Sequence, residues 1–221
     1  MLYGSIMKLY NFWRSGTSHR TRIALELKGL PYDYVAVHLA REAHLTDAFK
    51  AINPQQLVPA LDTGETVMIQ SPAILEWLEE AHPTPPLLPP DTLGRQRVRA
   101  LAALIGCDIH PINNRRILEH LRHNYSADDA AINAWCGTWI AAGFDAYEAL
   151  VAQSPVTGAF SHGHSPTLAD CYLVPQMDSA RRFKVDLSAW PRLCAIEAAC
   201  MALPAFVRAA PRQQPDAPQP T

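Results

Sequence analysis

The sequence predicts an α/β domain followed by an all-helical one. The first third reads as βαβ and then ββα. The stretch His-Pro-Thr-Pro-Pro-Leu-Leu-Pro-Pro at 82–90 cannot continue a helix and makes a stiff connector. Beyond it, every apolar pattern has the helical period. The predicted division is residues 7–86 and 92–215. A chain of 221 residues, 48% of them hydrophobic, supports a packed core in each part.

Residues 7–12 read as a buried strand. Residues 18–28 read as a helix ended by Gly29 and Pro31. Tyr34, Val35, Val37 and Leu39 form a second strand rich in β-formers. A short helix over 46–52 is broken by Asn53-Pro54. Residues 58–62 and 66–70 are two strands joined through Thr63-Gly64, hence an antiparallel hairpin. Ser71 is placed to cap the next helix, with Pro72 at its first position, and that helix reaches about Ala81.

In the second part, Val98, Leu101, Leu104 and Ile105 carry a helix over 93–123, kinked where His110 precedes Pro111. Residues 127–152, with Trp135, Trp139 and Phe144, make another long helix. Ser165 to Asp170 is a helix start. Thr167 caps and Asp170 reaches back from the third position, so Asp170 is structural. Shorter helices fill 170–183 and 191–209. Pro211 to Thr221 is rich in proline and glutamine and is expected to fray.

The formal net charge of −2 argues against nucleic acid or an anionic membrane as partner. No uncharged apolar stretch is long enough to predict a transmembrane helix. Met1 to Ile6 lack a basic region and Lys8 interrupts the apolar run, so a signal peptide is not expected. The residues before Met7 read as a start-site extension. The 5 cysteines are Cys107, Cys136, Cys171, Cys194 and Cys200. Their number is odd and none forms a C-x-x-C pair. That pattern excludes a disulfide framework, a zinc ribbon and a redox dithiol, and fits a reducing cytosol. His162-Gly-His164 has no third ligand at metal-binding spacing and reads as a solvated loop, so no metal is expected.

Residues 12–25, Phe-Trp-Arg-Ser-Gly-Thr-Ser-His-Arg-Thr-Arg-Ile-Ala-Leu, carry the chemistry. Strand, hydroxyl-rich turn and helix follow one another. Such a turn aims unpaired N–H groups and the positive end of a helix at one point, where an anion such as a thiolate is stabilised. The hydroxyls of Ser15 and Thr17 are placed to donate to it. Gln70-Ser71 opens a second helix, as a plain cap or as an anion seat. Guanidinium groups bind carboxylates bidentately. Arg14 lies in the turn, Arg115 and Arg116 in the first long helix, and Arg181 and Arg182 in a later one. Neighbours on a helix point about 100° apart, so one of each pair faces a common site.

Five segments in this order resemble one family. They are Arg14-Ser15-Gly16-Thr17-Ser18-His19-Arg20, Asn53-Pro54-Gln55-Gln56-Leu57-Val58-Pro59-Ala60-Leu61, Gln70-Ser71-Pro72-Ala73-Ile74, Pro166-Thr167-Leu168-Ala169-Asp170 and Arg182-Phe183-Lys184-Val185-Asp186-Leu187. From Met7 to about Pro215 the chain resembles the zeta-class glutathione transferases, closest to their maleyl keto acid isomerases. The resemblance implies a thioredoxin-like βαβαββα domain followed by an all-helical domain, as a cytoplasmic homodimer.

It also implies glutathione as cofactor. Ser15 would donate to its sulfur, with Gly16 and Thr17 standing where the more familiar turn has Ser and Cys. Val58, before a cis Pro59, would offer its backbone to the peptide. Gln70 and Ser71 would hold the γ-glutamyl carboxylate, and His44 and Gln56 the glycine end. His110 and Asn114 would reach glutathione from the helical part. By family position Arg116 and Arg182, with Arg14 nearby, would hold a dicarboxylate keto acid. The implied reaction is isomerisation of maleylpyruvate, or second maleylacetoacetate, to the fumaryl form in aromatic catabolism. Two other readings stay open: a transferase that conjugates or dehalogenates small electrophilic acids, and a non-catalytic binding protein on the same fold.

Overall fold

The computed structural model describes residues 6–219. Met1–Ser5, most of the segment read as a start-site extension, lie outside the described residues. The chain divides into two compact units: one takes residues up to Pro86 and resumes at Ala202, the other spans Leu87–Met201.

The first unit is built on a mixed four-stranded sheet in the order β2-β1-β3-β4, with β1 at Met7–Asn11, β2 at Tyr32–Ala36, β3 at Ala60–Asp62 and β4 at Val67–Ile69. β1 and β2 run parallel, from Met7 opposite Tyr32 to Asn11 opposite Ala36. α1 (Gly16–Leu27) makes the crossover between them, as a parallel pair requires. β3 is antiparallel to both β1 and β4. The β3–β4 turn closes with Thr63 N–H on Thr66 O at 3.0 Å, and Gly64 takes φ 84° there. The second strand lies earlier than the apolar run 34–39 suggests. Its register is set by β1, and Leu39 enters a short 3-10 turn.

α2 (Asp47–Ile52) is capped by Thr46, whose hydroxyl accepts from Phe49 N–H at 3.3 Å. α3 (Ser71–Ala81) follows β4 directly. The core of this unit holds Leu9, Ile23, Leu25, Leu61, Ile74 and Leu78, all fully buried. Every residue of α1 from Ser18 to Leu25 is buried, Arg20 and Arg22 included, because α3 and a later helix at Pro204–Ala209 both pack on it.

In the second unit the expected helix over 93–123 is two helices. α4 (Thr92–Ala103) runs into a π-helical turn at Leu104–Ile109, and α5 (Arg115–Tyr125) starts afresh with Asn114 as its cap. The kink expected at Pro111 is a full break. Proline has no N–H for a helical bond, and the Asn114 side chain offers the next segment a new start. α6 (Asp129–Ala152), α7 (Leu168–Arg182) and α8 (Pro191–Met201) complete the bundle. Asp170 acts as expected. Its carboxylate accepts from Thr167 N–H (2.7 Å), Thr167 Oγ1 (3.0 Å) and Ser161 N–H (2.9 Å).

The expected helix over 191–209 also divides, because Pro204 cannot extend it and instead opens α9 (Pro204–Ala209). From Ala202 the chain belongs to the first unit, not to the helical part that the 92–215 division assigns it. Nor, over the described residues 211–219, does the last segment fray; residues 220–221 lie outside the described residues. Gln214 Nε2 donates to Arg208 O (2.8 Å) and Ala210 O (2.9 Å), and Ala217 is buried. Specific side chains order it, which its proline-rich composition does not reveal. Among the described residues no helix is long and apolar enough to cross a membrane.

Candidate active site

Ser15 caps α1. Its backbone is extended (φ −70°, ψ 123°), its Oγ accepts from Ser18 N–H at 3.3 Å, and its carbonyl accepts from His19 N–H at 2.9 Å. Ser15 Oγ lies 2.9 Å from Thr17 Oγ1, and Thr17 Oγ1 donates to Val58 O at 2.9 Å. A carbonyl only accepts, so the Thr17 proton belongs to Val58. Within the pair, Ser15 is therefore the donor. In this arrangement the Thr17 proton ties the turn to the loop before β3, and the Ser15 proton lies on Thr17 Oγ1.

That loop is organised by Asn53. Its side chain accepts from Gln55 N–H (3.0 Å) and donates to Leu57 O (2.7 Å), and its carbonyl accepts from Gln56 N–H (2.8 Å). The loop ends in a cis Val58–Pro59 bond. Thr84–Pro85 is also cis, which no sequence signal indicated. Among the described residues the Val58 N–H has no partner, so an extended peptide can pair with it as a strand does.

Gln70, not Ser71, occupies the cap of α3, at φ 69° and ψ 108°. A non-glycine residue in that region costs on the order of 1–3 kcal/mol, and such outliers gather at functional sites. The Gln70 side chain donates to Gln55 Oε1 at 2.5 Å. Ser71 is therefore the first helical residue, and its hydroxyl does no capping. Its Oγ is buried without a hydrogen-bond partner at the head of an 11-residue helix. A buried donor left unmade costs about 1–3 kcal/mol, which a carboxylate placed there removes.

Gln56, at φ 58°, is half-buried one residue beyond Gln55. His44 lies half-buried in a separate 3-10 turn at Ala43–Leu45. Arg14 is exposed, with its guanidinium 5.6 Å from the centre of the Trp13 ring.

In the helical unit, His110 closes the π-helical turn, its N–H on Ile105 O at 2.9 Å. Asn114 Oδ1 accepts from Arg116 N–H at 3.2 Å. Arg115 is ion-paired with Glu119, whereas Arg116 is exposed and its guanidinium has no ion pair among the described residues. Arg181 is bound by both oxygens of Glu197. Arg182 is exposed, donates to Ser179 Oγ at 2.9 Å and lies 4.7 Å over the Phe183 ring. Arg115 and Arg181 are thus each held by a glutamate. Among the described residues, no group of three His, Cys, Asp or Glu side chains could hold a metal ion.

Sequence reasoning missed Arg22 and Asp216. Arg22 is wholly buried. It donates to Asn11 Oδ1 (3.0 Å), Phe12 O (3.4 Å), Trp13 O (3.0 Å) and Ala209 O (3.0 Å). An arginine inside an otherwise buried helix face was the available signal.

A mixed sheet, a hydroxyl-capped helix and a cis-proline loop of this kind make a thioredoxin-like domain, and the comparisons with known proteins place it in the glutathione S-transferases. The N-terminal domain model of that family matches residues 9–86. The maleylpyruvate isomerase of a Ralstonia species is 73% identical, over 95% of this chain and 99% of that one. A holo structure of a maleylpyruvate isomerase, described as a bacterial zeta-class glutathione S-transferase, aligns with a TM-score of 0.95 at 72% identity, over 96% of this chain and 100% of that one. The maleylacetoacetate isomerase of Anaeromyxobacter dehalogenans, solved with glutathione bound, aligns at 0.87 and 45% identity, over 98% of this chain and 100% of that one. The chain belongs to the glutathione S-transferase family, in its zeta class.

Proposed function

We propose that the protein is a glutathione-dependent cis–trans isomerase. Its substrate is a maleyl keto acid, maleylpyruvate first and maleylacetoacetate second, and its product is the fumaryl isomer. The observation that carries this reading is the Ser15 hydroxyl. Its oxygen is fixed at the head of α1, and its proton lies in a hydrogen bond that can be redirected to a thiolate.

Glutathione supplies, when bound, a sulfur nucleophile that adds reversibly to a carbon–carbon double bond and so frees it to rotate. The residues fit that tripeptide. The unpartnered Ser71 hydroxyl and the head of α3 suit the γ-glutamyl carboxylate, with Gln70 beside them. Val58 suits the cysteinyl backbone, and Gln56 and His44 the glycine end. Gly16 leaves the turn open to the sulfur.

Ser15 holds the thiol ionised. A hydrogen bond to a charged group contributes about 1.5–3 kcal/mol, and a helix N-terminus about 0.3–1 kcal/mol. One pKa unit corresponds to about 1.4 kcal/mol. Together they lower a cysteine-type thiol from about 8.5 to near 7. Arg116 and Arg182 grip the carboxylates of the substrate, with Arg14 contributing positive charge at the turn, and stabilise the charge that builds on its oxygens. By family position His110 and Asn114 are assigned to glutathione. In this reading residues 7–86 form the main glutathione-binding part and the helical residues after 92 the main part that takes the acid. The relatives' family habit supports a homodimer, and five cysteines without a disulfide support a reducing cytoplasm.

The test is stoichiometric. With protein, glutathione and maleylpyruvate, the fumaryl product accumulates while free thiol stays constant. Loss of one thiol per turnover would identify a conjugating transferase instead. Ser15→Ala lowers kcat/KM roughly 10- to 150-fold, the equivalent of one charge-assisted hydrogen bond.

A further inference from the structure

The returning segment reaches the entrance of the sulfur site. Asp216 Oδ2 accepts from Trp13 N–H at 3.2 Å, two residues before Ser15. Its other oxygen, Oδ1, accepts from the Tyr34 hydroxyl on the neighbouring strand. The backbone groups of Phe12 and the carbonyl of Trp13 are also engaged. Phe12 N–H donates to Ser18 Oγ (3.4 Å), and Phe12 O accepts from Ser15 N–H (3.0 Å) and from Arg22. Trp13 O accepts from Arg22 Nη2 (3.0 Å). Arg22 also grips Ala209 O, so the segment is fastened to the bend at two points.

The backbone of Trp13 is thus held on both sides, by an anion at its N–H and a cation at its carbonyl. The Asp216 carboxylate faces Tyr34 from β2 and the backbone of the bend from β1, with Arg22 of α1 supplying the balancing charge.

From this geometry we infer that Asp216 is a positioning residue for Ser15: by anchoring Trp13 N–H it fixes where the bend delivers the serine hydroxyl, and so how strongly that hydroxyl stabilises a bound thiolate. The inference rests on the role of Ser15 proposed above. A charge-assisted hydrogen bond holds a backbone position more firmly than a neutral one. A hydroxyl displaced by a fraction of an ångström loses much of its hydrogen bond to the sulfur.

The experiment is a pH titration of thiolate absorbance for glutathione bound to the full-length protein, in parent, Asp216→Ala, Asp216→Glu, Tyr34→Phe and Ser15→Ala. In Asp216→Ala the bound thiol ionises about one pH unit higher, roughly a fivefold loss of thiolate at pH 7. The acid limb of the kcat profile moves with it, while glutathione Kd changes less than threefold. Tyr34→Phe, which keeps the carboxylate but frees one oxygen, shifts the thiol in the same direction by less. Asp216→Glu restores part of the shift. A thiol that ionises at the parent pH in both Asp216→Ala and Tyr34→Phe, even with a lowered melting temperature, overturns the inference. If Asp216→Ala does not fold, Tyr34→Phe decides alone. Ser15→Ala separates the two failures. An unshifted thiol there sinks the reading of Ser15 and the anchoring with it. A shifted thiol in Ser15→Ala beside unshifted Asp216 and Tyr34 variants sinks the anchoring only.

Discussion

His19 lies one turn below Ser15, wholly buried, and its Nε2 has no partner among the described residues. Burial first, and the charge of Arg22 second, hold its imidazole well below the ordinary histidine range. The native protein therefore leaves His19 neutral where the unfolded chain protonates it. Below about pH 6.5 the unfolded state binds the extra proton, so stability falls as pH falls, by up to about 1.4 kcal/mol per pH unit. Urea midpoints measured at pH 7.5, 6.5 and 5.5 show this slope in the parent and a flatter one in His19→Gln. An equal slope in the variant removes His19 as the cause. The arginines give a second prediction at this scale. Arg116→Ala raises KM for the maleyl acid roughly tenfold or more with a smaller change in kcat, and Arg115→Ala changes it little. The opposite ranking transfers the role to Arg115. The sequence shows both pairs and family position favours Arg116 and Arg182; that Glu119 holds Arg115 and Glu197 holds Arg181 only the fold reveals. Ser15 was legible because its chemistry is local, written in one turn. The commitment of the Thr17 proton was not, because Val58 is 41 residues away.

The π-helical turn at Leu104–Ile109 shows how elements set the path of the chain. A Cβ at Gly143 of α6 would meet Ile109 Cδ1 at 2.3 Å, and one at Gly106 would meet Tyr172 Cε1 of α7 at 2.8 Å. Two glycines thus let the turn nest against α6 and α7, and its far end delivers His110 and Asn114. Gly143→Ala improves intrinsic helix propensity by about 1 kcal/mol, yet it overpacks this contact at a cost of about 1–3 kcal/mol. The variant is therefore expected to melt below the parent, and Ile109→Ala in the same chain offsets part of the loss. A higher melting temperature for Gly143→Ala alone would contradict the packing. Periodicity found α1, α3, α6 and α7 within a few residues. It joined α4 to α5, and α8 to α9, because apolar spacing continues across a break that proline, asparagine and the extra residue of a π turn create.

At the scale of the whole molecule, buried charge fastens the connector. Lys28 Nζ donates to Glu79 (2.9 Å), His82 O (2.7 Å) and Pro85 O (3.0 Å), with both side chains of the ion pair buried. Lys28→Met leaves the Glu79 carboxylate without its cation and is expected to destabilise the fold by about 3–5 kcal/mol. Adding Glu79→Leu recovers much of this, and chemical denaturation of the two variants measures it. The prolines that mark the connector were legible in the sequence. The lysine that holds it was not, being one charged residue among many until its three acceptors are seen together.

The return of the chain at Ala202 has a consequence for synthesis. The helical bundle from Leu87 to Met201 is synthesised before α9 and Asp216, so the unit that starts earlier along the chain is completed later. Until then the face of α1 that α9 will cover, Arg22 included, stands open to water and to chaperones. The bend braced by Arg22 and Asp216 is therefore completed only after the whole helical bundle has been synthesised.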